Sequence, residues 1–306
     1  METKPGLAAI RRVRRQAFQL SEAALIAAVM AVFGCLSVDR ASRLGGYIGR
    51  TIGPRLGASR RALHNLRRVM PENSEPENRR IIRAMWDNLG RTVAEYPHLA
   101  QICAPASDRV EIVNGEAVGR LLTGDQPTIL FGGHFANWEV GPSMIHRLMG
   151  SSLLSVYRAA NNPWVDRLLR RRLVSRRAVA KGTVGGRDLL RHLRQGGHVA
   201  MLVDQKQNDG IAVRFFGQDA MTAPAIARLG QRFHCPIVPI RVERLGGARF
   251  RFTVTAAIEV VDTGDATADV LATMTMVNAI IEDWVRLRPE QWLWLHRRWP
   301  NRAASL

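Results

Sequence analysis

Pro127-Thr128-Ile129-Leu130-Phe131-Gly132-Gly133-His134-Phe135-Ala136-Asn137-Trp138-Glu139 joins a short apolar run to two glycines, a histidine and a carboxylate. An unbroken apolar run of this length, closed by glycines, predicts a buried strand with its chemistry at the carboxyl end. Val199 to Val203 closes on Asp204 in the same way and predicts a second buried strand. Ile237 to Val242 predicts a third, and Phe250, Phe252 and Val254, alternating with Arg251 and Thr253, a half-exposed fourth. Ile81, Ile82, Met85, Trp86, Leu89, Val93 and Tyr96 recur at helical spacing between Glu77 and Leu99, and Pro97 predicts the end of that helix. A second long helix is predicted from Ala268 to Leu287, with Val270, Met274, Val277, Ile281 and Trp284 on one face. Strands alternating with helices predict an α/β domain, a mixed β-sheet flanked by helices. In such folds the chemistry gathers beyond strand ends.

His134 and Glu139 stand five positions apart. On one ideal helix, five steps of about 100° leave two side chains roughly 140° apart, too far round to meet. They meet if His134 lies in the turn and Glu139 in the helix that follows. The carboxylate then accepts the proton of one imidazole nitrogen, fixes the tautomer and leaves the other nitrogen as a general base. No GxSxG nucleophile elbow occurs, so the proton donor to that base is expected to be the substrate itself. This predicts direct transfer to an acceptor hydroxyl, without an acyl-enzyme.

The 306 residues, 46% of them hydrophobic, are enough to bury a substantial core. Lys and Arg number 44 against 26 Asp and Glu, and the net charge of +18 implies an anionic partner: nucleic acid, anionic lipid or an acidic carrier protein. Cys35, Cys103 and Cys235 form no CxxC pair, so neither a zinc site nor a disulfide framework is expected. No GK[ST] phosphate loop occurs, and Gly182, Gly185 and Gly186 are too loosely spaced for a dinucleotide signature. No metal and no cofactor are therefore expected.

Arg11, Arg12, Arg14 and Arg15 precede an uncharged run from Ala23 to Val38. Its 16 residues fall short of the roughly 20 that a spanning helix needs. Arginines follow as well as precede it, among them Arg40, Arg43, Arg50 and Arg55. Positive charge on both flanks predicts a helix lying in the headgroup layer, with a true span and a buried core helix as the alternatives. The chain thus divides into a basic segment and hydrophobic membrane anchor, residues 1–38, and a folded domain, residues 39–306.

Four blocks carry the pattern: Gly133-His134 with Asn137-Trp138-Glu139, Val156-Tyr157-Arg158 with Asn162-Pro163, Asp204-Gln205, and Pro289-Glu290-Gln291-Trp292-Leu293-Trp294-Leu295-His296-Arg297-Arg298-Trp299. In this combination the chain resembles the bacterial lipid A late acyltransferases, the lauroyl and myristoyl transferases, within the broader HX4D/E acyltransferases. The resemblance implies a glycerolipid-acyltransferase-like fold, with residues 39–306 as the acyltransferase domain. It implies a donor that is acyl carrier protein or acyl-CoA, an anionic glycolipid acceptor of the lipid A precursor type, and the cytoplasmic face of the bacterial inner membrane.

Residue by residue, it implies that His134 deprotonates the acceptor hydroxyl, that Glu139 orients and charges the imidazole, and that Arg158 holds an anionic group or the developing oxyanion. Substrate-binding roles are expected of Asn137, Tyr157, Asn162 and Asp204, and phosphate contacts of Arg297 and Arg298. Arg170, Arg171, Arg172, Arg176, Arg177 and Lys181 are suited to an acidic carrier or a phosphorylated headgroup. Val203-Asp204-Gln205-Lys206-Gln207 departs from the His- and Pro-rich stretch of enterobacterial members.

The alternatives are acylation of a lysophospholipid or another glycolipid, a non-catalytic membrane scaffold, and a basic nucleic-acid-binding protein. Against the last stand an aromatic fraction of 6% and the absence of a nucleic-acid-binding module.

Overall fold

The computed structural model describes residues 5–116, 119, 126–149, 153–170 and 178–299. Helices α1 (Pro5–Gly34), α2 (Val38–Ile52), α3 (Gly57–Val69), α4 (Glu75–Glu95) and the short α5 (Leu99–Ile102) precede the sheet. Strands β1 (Val110–Val113) and β2 (Ile129–Gly132), helix α6 (Val140–Met149), β3 (Leu153–Tyr157), α7 (Pro163–Arg170), β4 (Ala178–Ala180), α8 (Thr183–Arg194) and β5 (His198–Leu202) follow. The hairpin β6 (Ile211–Phe215) and β7 (Gln218–Thr222), helix α9 (Ala225–Phe233), β8 (Ile237–Gly246), β9 (Arg249–Val254) and α10 (Ala266–Leu287) complete the described elements.

Seven strands form one sheet in the order β1-β9-β8-β2-β5-β3-β4, and β6-β7 stands apart as a two-stranded ribbon. Only β8 and β9 pair antiparallel within the large sheet, so it is mixed, as the alternation of elements predicts. Successive side chains of β2 point to opposite faces. Ile129 and Phe131 join a core with α3, α4, α10 and the hairpin, while Leu130 joins one with α5, α6, β8 and β9. Such a strand is apolar on both sides because helices cover both sides.

The predicted helices are present with small shifts at their ends. α4 begins at Glu75, where the Ser74 hydroxyl accepts the Glu77 N–H, and gives way to a single turn of 3₁₀-helix at Tyr96 and Pro97. α10 begins at Ala266, capped by Asp265, whose carboxylate accepts the N–H groups of Thr267 and Ala268.

An N-terminal apolar helix is present, as expected, but its bounds differ from those of the uncharged run. The uncharged run does not form one helix, because α1 ends at Gly34 and α2 starts at Val38. α1 instead extends back to Pro5, and Val13–Gly34, 22 residues with mean hydropathy 1.7, is long and apolar enough to cross a membrane by length and composition. Glu22 is accommodated within it because its carboxylate accepts the Asn162 amide N–H at 2.9 Å. α1 also stays against the domain at its far end, where Met30 and Phe33 are buried and His98 Nε2 lies 3.0 Å from the Phe33 carbonyl. Its outward side carries Phe18, Leu25, Val29 and Val32, all exposed.

Candidate active site

Adjacent parallel strands β2 and β5 run in register, Ile129 opposite Val199 and Gly132 opposite Leu202. Two residues past each strand end, the register delivers His134 beside Asp204. The His134 Nδ1–H donates to Asp204 Oδ1 at 2.7 Å, and the His134 backbone N–H donates to Oδ2 at 2.8 Å. Trp292 Nε1–H donates to the same Oδ2 at 2.7 Å. Burial pushes the Asp204 carboxyl up, but the facing imidazole and these donors outweigh it and hold it well below the usual carboxylate range. Gly133 permits the approach: a Cβ there would lie 2.9 Å from the Phe135 ring and 3.2 Å from Asp204 Oδ2.

An ionised Asp204 on Nδ1 leaves Nε2 of His134 as the nitrogen with the free lone pair. The Gln205 side-chain nitrogen lies 2.9 Å from it and 2.7 Å from His296 Nε2, and donates one N–H to each. The rings of Trp138 and His296 flank the imidazole at centroid distances of 5.3 and 5.6 Å.

The carboxylate on His134 Nδ1 is thus that of Asp204 and not, as expected, that of Glu139. Ala136 adopts a left-handed conformation, φ +48°, which turns the chain sharply before α6. Asn137 then caps the turn, its Oδ1 accepting the Glu139 N–H at 3.2 Å. Glu139 emerges facing Tyr96, whose hydroxyl donates to its Oε1 at 2.7 Å. Burial pushes the Glu139 carboxyl up, opposed by the Tyr96 hydrogen bond and by attraction to His134.

A left-handed non-glycine residue costs about 1 kcal/mol or more and persists only where its surroundings hold it. Here the Ala136 carbonyl accepts from Asn88 and Thr92 of α4, and its N–H donates to the Gln291 carbonyl at 2.9 Å. The terminal Trp block adds a bridge between Phe135 and Trp292 and a bond from the Leu293 N–H to the His134 carbonyl. Behind the loop, Glu95 is fully buried and accepts from Arg244, Asn137 and Ser42. Glu95→Ala is expected to destabilise the fold by about 3 to 5 kcal/mol, because it strands a buried guanidinium. Urea unfolding, with and without the further change Arg244→Met, checks this: the second substitution recovers much of the loss.

The site opens into a cavity of about 1320 Å³. His134, Glu139, Gln205 and His296 line one region of it, and Val156, Leu169, Leu189, Met201, Leu229 and Ile240 are among its apolar walls. Tyr157 and Arg158 line it from the end of β3, the strand next to β5, so three neighbouring strand ends converge on one space. Tyr157 also donates to Asp166 at 3.2 Å and stacks under Arg170 at 5.6 Å. Arg170 and Lys181 border the cavity, whereas Arg171, Arg172, Arg176 and Arg177 lie outside the described residues.

Three residues expected to contact substrate are buried and engaged in hydrogen bonds within the fold. Asn137 is fully buried on Glu95 and positions Glu139. Asn162 caps α7 through the Trp164 N–H and donates to the Gln19 carbonyl and Glu22 of α1, because a short amide at a helix start satisfies free backbone donors best. Arg298 is fully buried and donates to Met221, Thr222 and Asn278, stitching β7 to α10, and is not a phosphate contact. Asp204 lies behind His134 and is shielded from the cavity by it. Arg297 is exposed and lines a separate recess beside α3.

Gln205 and His296 were missed as site residues. The available signal was their position: Gln205 follows a strand end matching that of Gly133-His134, and His296 sits beside the Trp block. Among the described residues, no group of three or more His, Cys, Asp or Glu side chains is placed to hold a metal ion.

Burial, with the neighbouring His134 charge, lowers His296 to about 4. A histidine lowered below its unfolded value binds fewer protons folded than unfolded between those values, so stability rises with pH from about 4 to about 6.5. His296→Gln is expected to flatten that slope, by an amount on the order of 2 to 3 kcal/mol across the window. Chemical denaturation at a series of pH values checks it.

Over residues 12–301 the sequence matches the family described as bacterial lipid A biosynthesis acyltransferase. Among similar proteins, the lipid A biosynthesis myristoyltransferase of Escherichia coli K12 is 28% identical over 264 residues, covering 83% of this chain and 78% of that one. The lauroyltransferase of the same organism is 24% identical over 279 residues, 86% of each chain. Its palmitoleoyltransferase is 25% identical over 276 residues, 83% of this chain and 85% of the other.

Proposed function

We propose, for a chain that belongs to the bacterial lipid A biosynthesis acyltransferases, that it moves a fatty acyl group from the thioester of an acyl carrier protein to a hydroxyl of a lipid A precursor. The observation that carries the reading is His134, with Asp204 on Nδ1 and Gln205 on Nε2, at the edge of a large cavity with apolar walls.

The acceptor hydroxyl replaces the Gln205 amide as the partner of Nε2 and gives up its proton there as its oxygen attacks the thioester carbon. Asp204 and Glu139 stabilise the imidazolium. The released Gln205 N–H and Arg158 face the oxyanion, where one preorganised donor contributes about 10² to 10³ in rate. Collapse breaks the carbon–sulfur bond, and the imidazolium returns its proton to the leaving thiolate. The products are an ester and a free carrier thiol.

The cavity holds the acyl chain, each buried methylene contributing about 0.8 kcal/mol. An acidic carrier complements the +18 chain, with Arg170 and Lys181 at the cavity border. α1 anchors the enzyme at the cytoplasmic face of the inner membrane, lying alongside the domain with Phe18, Leu25, Val29 and Val32 in the lipid. Its contacts at both Asn162 and Phe33 support this lying arrangement.

Labelled acyl carrier protein and acyl-CoA, each offered with a tetraacylated lipid A precursor or a lysophospholipid in detergent micelles, test the assignment. Transfer from the carrier to the precursor is expected. Transfer to the lysophospholipid alone would overturn the acceptor, and preference for acyl-CoA would overturn the donor.

A further inference from the structure

A second cavity, about 710 Å³, opens beside α3 and is lined by Arg60, Arg61, His64, Arg68 and Arg297, with Asn65, Gln218 and Trp299. None of these lining residues is acidic. Arg60, His64 and Arg68 follow one another at four-residue intervals, on one face of the helix. Gathering cationic side chains around a recess focuses positive potential into it and attracts anions.

The recess shares a wall with the catalytic cavity. Arg61 donates to the Leu295 carbonyl at 3.1 Å, and the Asn65 amide donates to the carbonyls of Trp294 and His296 at 3.0 and 2.7 Å. The segment so held carries His296 into one cavity and Arg297 into the other.

The elements leading into α3 indicate what kind of molecule bears the anion. Leu44, Tyr47, Ile48 and Ile52 recur at helical spacing on α2, and with Leu56 just before α3 they are 41–55% exposed. An exposed apolar stripe followed within one turn by a cationic recess matches a lipid whose chains lie in the membrane and whose headgroup carries phosphate. A carrier protein presents carboxylates spread over a convex surface, a poorer fit to a recess of this size.

We propose that this recess binds a phosphomonoester on the sugar headgroup of the acceptor lipid, and so sets which acceptor hydroxyl reaches His134. The inference rests on the acyl-transfer reading above and assigns its acceptor a second point of attachment. Arg60, on α3, and Arg297, on the segment after the Trp block, both line the recess and supply charge-assisted hydrogen bonds to the phosphate, with His64 and Arg61 lining it beside them.

Steady-state kinetics of Arg60→Gln/Arg297→Gln test this with phosphorylated and enzymatically dephosphorylated acceptor. For the phosphorylated acceptor, KM is expected to rise about tenfold to hundredfold with little change in kcat. The KM values for the dephosphorylated acceptor and for the acyl carrier should not move. Arg60→Lys/Arg297→Lys should restore most of the affinity, and Arg79→Gln/Arg80→Gln, which removes equal charge from α4, should have no effect. Equal losses on both acceptors, or a loss confined to the carrier, would overturn the proposal. Binding of the phosphorylated acceptor in micelles without donor, followed by tryptophan fluorescence, separates the two readings. Weakened binding in the Gln pair supports the recess even if the wild type transfers no acyl group, whereas unchanged binding sinks it even if transfer is normal.

Discussion

His134→Ala is expected to lower kcat for acyl transfer by about three orders of magnitude, with KM for the acceptor nearly unchanged. The loss comes from removing the imidazole that the proposed mechanism uses as the base at the cavity's edge. The fold should survive, because the loop is held by its backbone: the His134 N–H on Asp204, the His134 carbonyl on Leu293 and the Ala136 carbonyl on α4. Thermal unfolding alongside the kinetics checks that the variant is intact. Wild-type activity in an intact variant would eliminate His134 as the base.

Asp204→Asn is expected to cost about 10² to 10⁴ in kcat, more than Glu139→Gln does. The neutral amide keeps roughly the same shape but no longer stabilises an imidazolium, and its own N–H can turn the ring to the wrong tautomer. Glu139 bonds to Tyr96 and not to the imidazole, so its replacement removes attraction without removing orientation. Kinetics of the two variants over a pH range check the order, and a Glu139→Gln defect larger than that of Asp204→Asn would reverse the assignment of roles.

Much of the fold was legible because the central strands carry unbroken apolar runs and the two long helices carry clean periodicity. β2, β5, β8, β9, α4 and α10 all lie where the sequence puts them, within a few residues. β1 and β4, four and three residues long and only half-buried, carry too short a pattern to be read locally. The extent of α1 was hidden because Glu22 interrupts the uncharged run, and its partner Asn162 is 140 residues away.

The site was legible in part for the same reason. His134 stood out because glycines and a strand end surround it, but its true partner is 70 residues distant and becomes its neighbour only through the register of β2 on β5. Glu139 was the nearer carboxylate in sequence, and the left-handed turn at Ala136 sends it elsewhere. Asn162 and Arg298 are expected at the substrate from the blocks of the resemblance. Their environment makes one a cap and the other a buried clamp, a distinction that depends on contacts with α1, β7 and α10.

Rapid-quench single turnover of labelled acyl carrier protein with excess wild-type enzyme and acceptor tests the central claim most directly. If His134 activates the acceptor hydroxyl for direct attack, label passes from carrier to lipid in one phase and none is recovered on the enzyme. Enzyme-bound label that forms before product and then chases into it would contradict the account.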